Sequence, residues 1–115
     1  MEHRIFSLPF SRLYPTYLQK VQRKGRTQAE LDALILWLTG FDAAELQGLL
    51  GTEVDLRDFF AQAPALERTV PRVTGVVCGV RVEAVEDPLM RSIRCLDKLV
   101  DELAKGRSVE RILAR

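Results

Sequence analysis

The stretch that decides the fold is residues 87–106, which read DPLMRSIRCLDKLVDELAKG. Asp87 followed by Pro88 predicts a helix start, because aspartate accepts hydrogen bonds from free backbone N–H groups and proline suits the first turn. Gly106 marks the end, since glycine readily takes the left-handed conformation that closes many helices. The pattern predicts a long helix with one apolar side that packs on the rest of the chain. The residues on that side are Leu89, Ile93, Leu96, Val100 and Leu103.

Two shorter helices precede it and carry the clearest start signals in the chain. Thr27 with Glu30, and Asp42 with Glu45, form capping boxes, in which two side chains three residues apart bond to each other's backbone N–H groups. Gly40 ends the first of these helices. The buried face of the first helix has helical spacing and consists of Leu31, Leu34, Ile35 and Leu38.

Weaker signals predict three further helices. Pro15 suits the first turn of a helix that ends at Gly25. Asp55 can cap a short helix that Pro64 terminates, because the residue before proline avoids the helical conformation. Ser108 can cap a last segment near the C-terminus. The whole chain is therefore expected to form a mainly α, single-domain helical bundle of four to six helices.

The segment 73–82 is the hardest to assign. It holds five valines and two glycines in ten positions, which favours a strand. The alternative is a buried helix in which Gly75 and Gly79 allow a neighbour to approach closely. We expect the strand, paired with the extended residues 4–8 in one short two-stranded β element, because a lone strand leaves its backbone groups unpaired. Residues 65–72 show no periodicity and are expected to form a loop.

Length and composition are those of an ordinary globular domain. The 115 residues are enough for one domain, and 47% hydrophobic with 29% charged residues excludes a disordered or fibrous chain. The longest apolar run is residues 33–38, whereas a membrane-spanning helix needs about 20 apolar residues. Residues 1–10 carry polar and charged side chains where a secretory signal needs a continuous apolar stretch. We therefore expect a cytoplasmic protein that does not contact membranes.

Metal and redox chemistry have little support in the sequence. His3 is the one histidine, and Cys78 and Cys95 are 17 positions apart. This spacing lacks the close pairing of a zinc or redox motif. We expect no metal and no cofactor, and we expect both cysteines to be small buried apolar residues.

One group of charged residues could carry enzyme chemistry. Glu83, Glu86 and Asp87 cluster just before the long helix, and Arg81 lies beside them. Paired acids can divide acid and base roles when burial or mutual repulsion separates their pKa values. Ion pairing is the commoner role of such residues. The group is nevertheless the best catalytic candidate in the chain.

Charge is unevenly distributed along the chain. Residues 1–27 hold six Lys and Arg against one Glu, a net charge of +5, whereas residues 28–67 have a net charge of −7. Residues 68–115 return to +3. Such segments can serve a charged partner or can pack beside each other in one molecule.

A basic group in the first segment is the candidate for binding nucleic acid, and it consists of Lys20, Arg23, Lys24 and Arg26. Two helices separated by a glycine turn follow it, as in a helix-turn-helix. The helix that would enter the groove begins with Asp42 and Glu45 and has no Lys or Arg, so phosphates would repel it. Nucleic acid is therefore an unlikely partner.

Long strings of the sequence are similar to a small bacterial family known as domain of unknown function 2200. They are YP at 14–15, GRT at 25–27, WLTG at 37–40, FFAQAP at 59–64, GVVCGVRVE at 75–83, EDPLM at 86–90 and LDKLVDELAKG at 96–106. The resemblance covers nearly the entire chain. It implies a compact bacterial cytosolic protein of one domain, and it supplies no activity, substrate or catalytic residue.

Three functional hypotheses follow. The first is a non-enzymatic protein-interaction or homo-oligomeric module, with a second copy or another protein as partner. The second is a small enzyme with a carboxylate and arginine site at residues 81–87. The third is nucleic-acid binding through the basic group of the first helix.

Overall fold

The helix predicted around residues 87–106 is the central element of the fold. In the structure, a computed structural model that describes residues 3–115, this helix spans Pro88–Ala104. The Asp87 side chain accepts a hydrogen bond from the backbone N–H of Met90 at 2.9 Å, as the capping signal predicts. The other helices and a small hairpin pack around it, so the predicted mainly helical bundle with a small β element is confirmed.

Seven α-helices and two short strands lie within the described residues. The helices are α1 (Phe10–Arg23), α2 (Gln28–Thr39), α3 (Ala43–Leu50), α4 (Leu56–Ala61), α5 (Leu66–Thr69), α6 (Pro88–Ala104) and α7 (Val109–Leu113). The strands are β1 (Val76–Val77) and β2 (Val80–Arg81). Short 3₁₀ helices cover Arg4–Ser7, Val70–Arg72 and Val82–Ala84.

Helix α6 buries two adjacent stripes of side chains, which is one more than the apolar pattern predicts. The predicted stripe contributes Ile93, Leu96, Val100 and Leu103, each at most 1% exposed. The second stripe has the same helical spacing and consists of Ser92, Cys95, Leu99 and Glu102, each at most 5% exposed. Because burying one leucine contributes about 1.5–3 kcal/mol, α6 is the largest single contributor to the core.

Both capping boxes are present and confirm the two helix starts. The backbone N–H of Glu30 donates to Thr27 Oγ1 at 3.2 Å, and the N–H of Thr27 donates to Glu30 Oε1 at 2.9 Å. The reciprocal bonds between Asp42 and Glu45 measure 2.7 and 3.0 Å. Gly40 closes α2 in the left-handed conformation, with φ of +81°. These local signals define the helix ends.

The prediction that Pro15 lies in the first turn of its helix is wrong. Helix α1 already begins at Phe10, so the proline lies inside it. Phe10 is fully buried and stacks on Phe59 with ring centroids 3.8 Å apart. This packing extends the helix by more than a turn on the N-terminal side of the proline. The proline costs one hydrogen bond there, because it has no N–H to donate to the preceding turn.

The two-stranded element is confirmed, but the predicted pairing of residues 4–8 with 73–82 is wrong. The strands β1 and β2 pair with each other across a two-residue turn at Cys78 and Gly79, both of which have positive φ. Such a turn matches the twist of a tight hairpin, and local closure costs less chain entropy than pairing distant segments. Residues 4–7 form a 3₁₀ helix, and Leu8 O accepts from the N–H of Leu56 at 2.9 Å.

The prediction that residues 65–72 form a loop is also wrong. This segment forms α5 and a 3₁₀ helix. Thr69 Oγ1 donates to Leu38 O at 2.7 Å, and the N–H of Ala65 donates to Thr39 O at 3.0 Å. These bonds satisfy carbonyl groups at the end of α2. The segment is therefore ordered by a distant helix end, which local periodicity does not reveal.

Two tyrosines join α1 to its neighbours through carboxylates. Tyr14 Oη donates to Asp32 on α2, and Tyr17 Oη donates to Asp97 on α6, both at 2.5 Å. Burial and the hydrogen bond to Asp32 raise the pKa of Tyr14 to about 12. Burial and the charge of Asp97 raise the pKa of Tyr17 well above its ordinary value. Both phenols therefore stay protonated in the folded protein at high pH.

Within residues 3–115, no single helix combines the length and the apolar composition needed to cross a membrane. Helices α2 and α3 meet these two criteria only when they are counted together, and the chain bends by 101° between them.

We expect the folded protein to resist tyrosine ionisation. Tyr14 and Tyr17 are the two tyrosines of the chain, so tyrosinate absorbance reports on them alone. As pH rises through about 10, the unfolded chain releases phenol protons that the folded protein keeps, so the free energy of unfolding falls. Tyrosinate absorbance should be absent at pH about 10.5 in the folded protein and present in urea. Identical titration curves in the two states would contradict the burial of these phenols.

We expect Gly40→Ala to destabilise the protein by more than about 1 kcal/mol. The substitution forces a positive φ on alanine, and its Cβ would lie 2.7 Å from the Cβ of Ala65. Gly48→Ala is the matched control. It lies within α3 with nothing within 4 Å of the new Cβ, so it should stabilise by about 0.5–1 kcal/mol. Urea denaturation followed by circular dichroism measures both, and equal effects would contradict the assigned turn.

Candidate functional site

A polar cleft lies between the C-terminal end of α6 and the short helix α7. Its volume is about 430 Å³. Four of the six residues that line it are cations, and the lining consists of Lys98, Glu102, Lys105, Gly106, Arg107 and Arg111. We call this site the basic cleft.

The chain reversal between α6 and α7 builds the basic cleft. Gly106 has φ of +100° and turns the chain just after α6. Ser108 then caps α7, since its Oγ accepts from the backbone N–H of Arg111 at 3.2 Å. Ile112 is fully buried and holds α7 against α2 and α6. Arg107 and Arg111 consequently border the same space as the last turns of α6.

Glu102 lies at the centre of the cations. Its side chain is 5% exposed, and both carboxylate oxygens accept from Arg115 at 3.1 and 3.0 Å. Arg107 adds a bond at 3.0 Å, and Lys98 Nζ lies 3.6 Å away. A buried carboxylate of this kind is stable only while its partners remain. One acid therefore holds three cations at the cleft.

Asp101 connects the basic cleft to the first helix. Its two oxygens lie 3.4 Å from Lys20 Nζ and 3.0 Å from Lys105 Nζ. Partial burial raises the pKa of Asp101, but the hydrogen bonds and charges of these two lysines outweigh that effect and leave the pKa below its ordinary value. Lys20 of the predicted basic group is therefore linked through Asp101 to Lys105, a residue of the cleft lining.

Arg26 joins the same region from the turn after α1. Its Nη1 donates to Leu103 O at 3.1 Å and to Arg107 O at 3.0 Å. Its Nη2 donates to Glu30 at 2.6 Å, and this bond is the main reason that the pKa of Glu30 is lowered to about 2. Arg26 therefore covers carbonyl oxygens at the end of α6 and supports the loop of the cleft.

The remaining two members of the predicted basic group lie outside the cleft. Arg23 and Lys24 are exposed at the end of α1. Among residues 3–115, neither has a carboxylate within 4 Å of its charged group. The structure thus brings Lys20 and Arg26 to the basic cleft and leaves the other two on the surface beside it.

The residues predicted as a carboxylate and arginine site do not share one concave site. Arg81 lies 3.7 Å from Glu83, whose Oε1 accepts from the backbone N–H of Gly75. Backbone N–H groups, its own and that of Gly75, lower the pKa of Glu83. Asp87 caps α6, and Glu86 is exposed beside a separate groove. Arg81 and Glu83 therefore close the hairpin, Asp87 caps a helix, and Glu86 lies on the surface.

The cysteines differ from each other in burial. Cys95 is fully buried as expected, and burial raises the pKa of its thiol to about 11. The expected burial is wrong for Cys78, which is exposed at the hairpin turn, where tight geometry keeps it out of the core. His3 Nδ1 accepts from the N–H of Ile5 at 3.1 Å. Within the described part of the chain, no three His, Cys, Asp or Glu side chains form a metal-binding group.

Comparison with known proteins places this architecture in a bacterial family. The model of DUF2200, described as an uncharacterized protein conserved in bacteria, matches residues 4–114. The chain belongs to the DUF2200 family. The crystal structure of uncharacterized protein SP1917 is similar to it, with 39% sequence identity and a TM-score of 0.91 over 98% of this chain and 93% of that chain. No curated protein matches this DUF2200 chain.

The hairpin of this DUF2200 chain also supports the cleft. A Cβ added at Gly75 would lie 2.9 Å from Lys98 Cε and 3.4 Å from its Nζ, so the glycine leaves room for the lysine. Glu83 Oε1 accepts a hydrogen bond from the backbone N–H of Gly75 at 3.1 Å. The hairpin therefore restricts where the Lys98 ammonium can lie at the edge of the cleft.

Most of the cleft residues were missed by sequence reasoning. The available signal was a density of basic residues near the C-terminus, where five of the last 18 residues are Lys or Arg. These are Lys98, Lys105, Arg107, Arg111 and Arg115. The buried acid among them gave no signal, because a glutamate in a helix is ordinarily exposed.

We expect Glu102→Gln to destabilise the protein by about 3 kcal/mol, because it removes the buried charge that pairs with Arg107 and with the largely buried Lys98 and Arg115. Glu110→Gln is the matched control, since Glu110 is exposed on α7. It should change the free energy of unfolding by less than about 0.5 kcal/mol. Urea denaturation measures both, and equal small effects would show that Glu102 does not hold the cleft together.

Proposed function

We propose that this protein is a non-enzymatic protein-interaction module that binds an acidic segment of a partner protein in the basic cleft. The observation that carries the proposal is the charge of the cleft, whose side chains include four cations around an acid that already has partners. Opposite charges on two surfaces raise the rate of encounter and set the orientation of binding. We further propose that the 115 residues act as one domain.

The state of Glu102 supports binding rather than catalysis. A general base needs a lone pair free to take a proton from a substrate. Both oxygens of Glu102 accept hydrogen bonds from arginine, and Lys98 lies beside them. Asp101 is held by two lysines in the same way. The acids of the cleft therefore serve to position cations.

The arrangement of charges favours a protein segment over nucleic acid. Two of the four residues of the basic group, Lys20 and Arg26, pair with Asp101 and Glu30, which leaves Arg23 and Lys24 as the members without a carboxylate within 4 Å among residues 3–115. The cleft lining has no aromatic side chain on which a base could stack. A concave site lined by cations fits a short run of acidic side chains.

The free thiols favour a cytoplasmic location for this module. Cys78 and Cys95 are both free, and Cys78 is exposed. An exposed thiol persists in a reducing compartment, whereas an oxidising one favours disulfides.

Binding of a fluorescein-labelled polyglutamate peptide, measured by fluorescence anisotropy, tests the proposal. Arg111→Glu should weaken binding about tenfold, which corresponds to about 1.4 kcal/mol, because it replaces an attraction by a repulsion. Arg68→Glu is the matched control, since Arg68 is exposed on α5 and outside the cleft. Its affinity should stay within about twofold of the parent protein. Increasing salt should weaken the parent complex.

Three results would contradict the proposal. Absence of saturable binding at low salt would exclude an acidic segment as the ligand. Equal losses for the two variants would show that net charge, and not the cleft, attracts the peptide. Tighter binding of a labelled single-stranded oligonucleotide than of the peptide would favour nucleic acid. Light scattering completes the test, because a dimer that Arg111→Glu dissociates would identify a second copy as the acidic partner.

A further inference from the structure

We propose that the acidic segment recognised by the basic cleft carries a phosphorylated serine or threonine, so that the cleft is a phosphoryl-binding site. This inference rests on the proposed function and specifies its partner. It specifies which anionic group of the partner's acidic segment lies in the cleft.

The surplus of positive charge is the first argument. The lining of the cleft holds four cations, Lys98, Lys105, Arg107 and Arg111, and one carboxylate, that of Glu102. The side chains therefore carry three positive charges more than negative ones. A glutamate of the partner would neutralise one of them. A phosphoryl group carries about −1.5 to −2 at pH 7 and compensates more of the surplus at one position.

The unused hydrogen-bond donors are the second argument. Arg107 donates to Glu102 through Nη1, and the other N–H groups of its guanidinium have no partner among the described residues. In the same described region, the Arg111 guanidinium has no hydrogen-bond or ion-pair partner. Guanidinium groups match phosphoryl oxygens in paired, parallel hydrogen bonds. A phosphoryl group offers three terminal oxygens to these donors, whereas a carboxylate offers two.

The end of α6 would ordinarily disfavour an anion, and the structure offsets this effect. The last carbonyl groups of a helix carry partial negative charge. Arg26 Nη1 donates to Leu103 O in the last turn of α6 and to Arg107 O in the loop that follows. Lys105 and Lys20 neutralise Asp101 beside them. An anion in the cleft therefore meets side-chain cations, and Leu103 O and Arg107 O beside it are already bonded.

The lining of the cleft determines which phosphorylated group fits. Apart from the glycine, every lining residue is charged, so the lining has no aromatic side chain on which a nucleobase or a phosphotyrosine ring could stack. A volume of about 430 Å³ accommodates a phosphorylated side chain with the backbone that carries it. Phosphoserine and phosphothreonine present a phosphoryl group on a short stem. Free inorganic phosphate shares this chemistry, and its competition with the peptide for the cleft distinguishes the two ligands.

Three labelled peptides of one acidic sequence test the inference, with serine, glutamate or phosphoserine at the central position. Anisotropy should show the phosphoserine peptide binding about tenfold more tightly than the glutamate peptide, and the serine peptide binding more weakly than both. Arg111→Gln should reduce the preference for phosphoserine over glutamate to less than about threefold, because it removes the unpartnered guanidinium. Lys105→Met removes another cation of the cleft lining, whose side chain is 74% exposed. It should reduce the preference for phosphoserine in the same way. Arg68→Gln, outside the cleft, should leave the preference unchanged.

The outcomes separate this inference from the proposed function. Equal affinities for the phosphoserine and glutamate peptides would overturn the inference and leave the interaction module in place. Failure of every peptide to bind would overturn both. Inorganic phosphate that displaces the phosphoserine peptide with an affinity equal to that of the peptide would assign the site to the free ion. A preference that survives both Arg111→Gln and Lys105→Met would place the phosphoryl group outside the cleft.

Discussion

Helix α6 lies in the middle of the bundle and buries two adjacent stripes of side chains, so the other elements are positioned by how they cover these stripes. The first stripe is apolar and needs only close packing, and α1, α2 and α4 are among the elements that pack on α6. The second begins and ends with polar residues, Ser92 and Glu102. Buried polar groups cost free energy unless they are bonded. Ser92 and Glu102, at the two ends of this second stripe, therefore each need a specific hydrogen-bond or ion-pair partner.

These partners differ at the two ends of the helix. Ser92 Oγ donates to Pro88 O at 3.1 Å within α6 itself, so this end is satisfied locally. Glu102 carries a charge and draws its partners from three places, namely Lys98 on the same helix, Arg107 in the turn and Arg115 after α7. Satisfying one buried carboxylate thus gathers several cations in one region. The basic cleft is the physical consequence of that arrangement.

The cleft is also the place where distant parts of the chain meet. Arg26 binds carbonyl oxygens at the end of α6, and Lys20 pairs with Asp101 on the same helix. The hairpin reaches the cleft through Gly75, which makes room for Lys98. Basic residues far apart in sequence consequently form one electrostatic surface. The proposed recognition of an anionic segment rests on this surface, whose acids are already occupied by internal partners.

Local chemistry made much of the fold predictable from the sequence alone, including the capping boxes that begin α2 and α3 and the start of α6 at Asp87. These features depend on bonds between residues three or four positions apart, which a sequence pattern displays directly. The tertiary structure alone decided that α5 covers the end of α2 and that the cations gather around Glu102. These outcomes depend on which backbone groups and charges remain unsatisfied once distant segments have packed, and spacing along the chain does not record that.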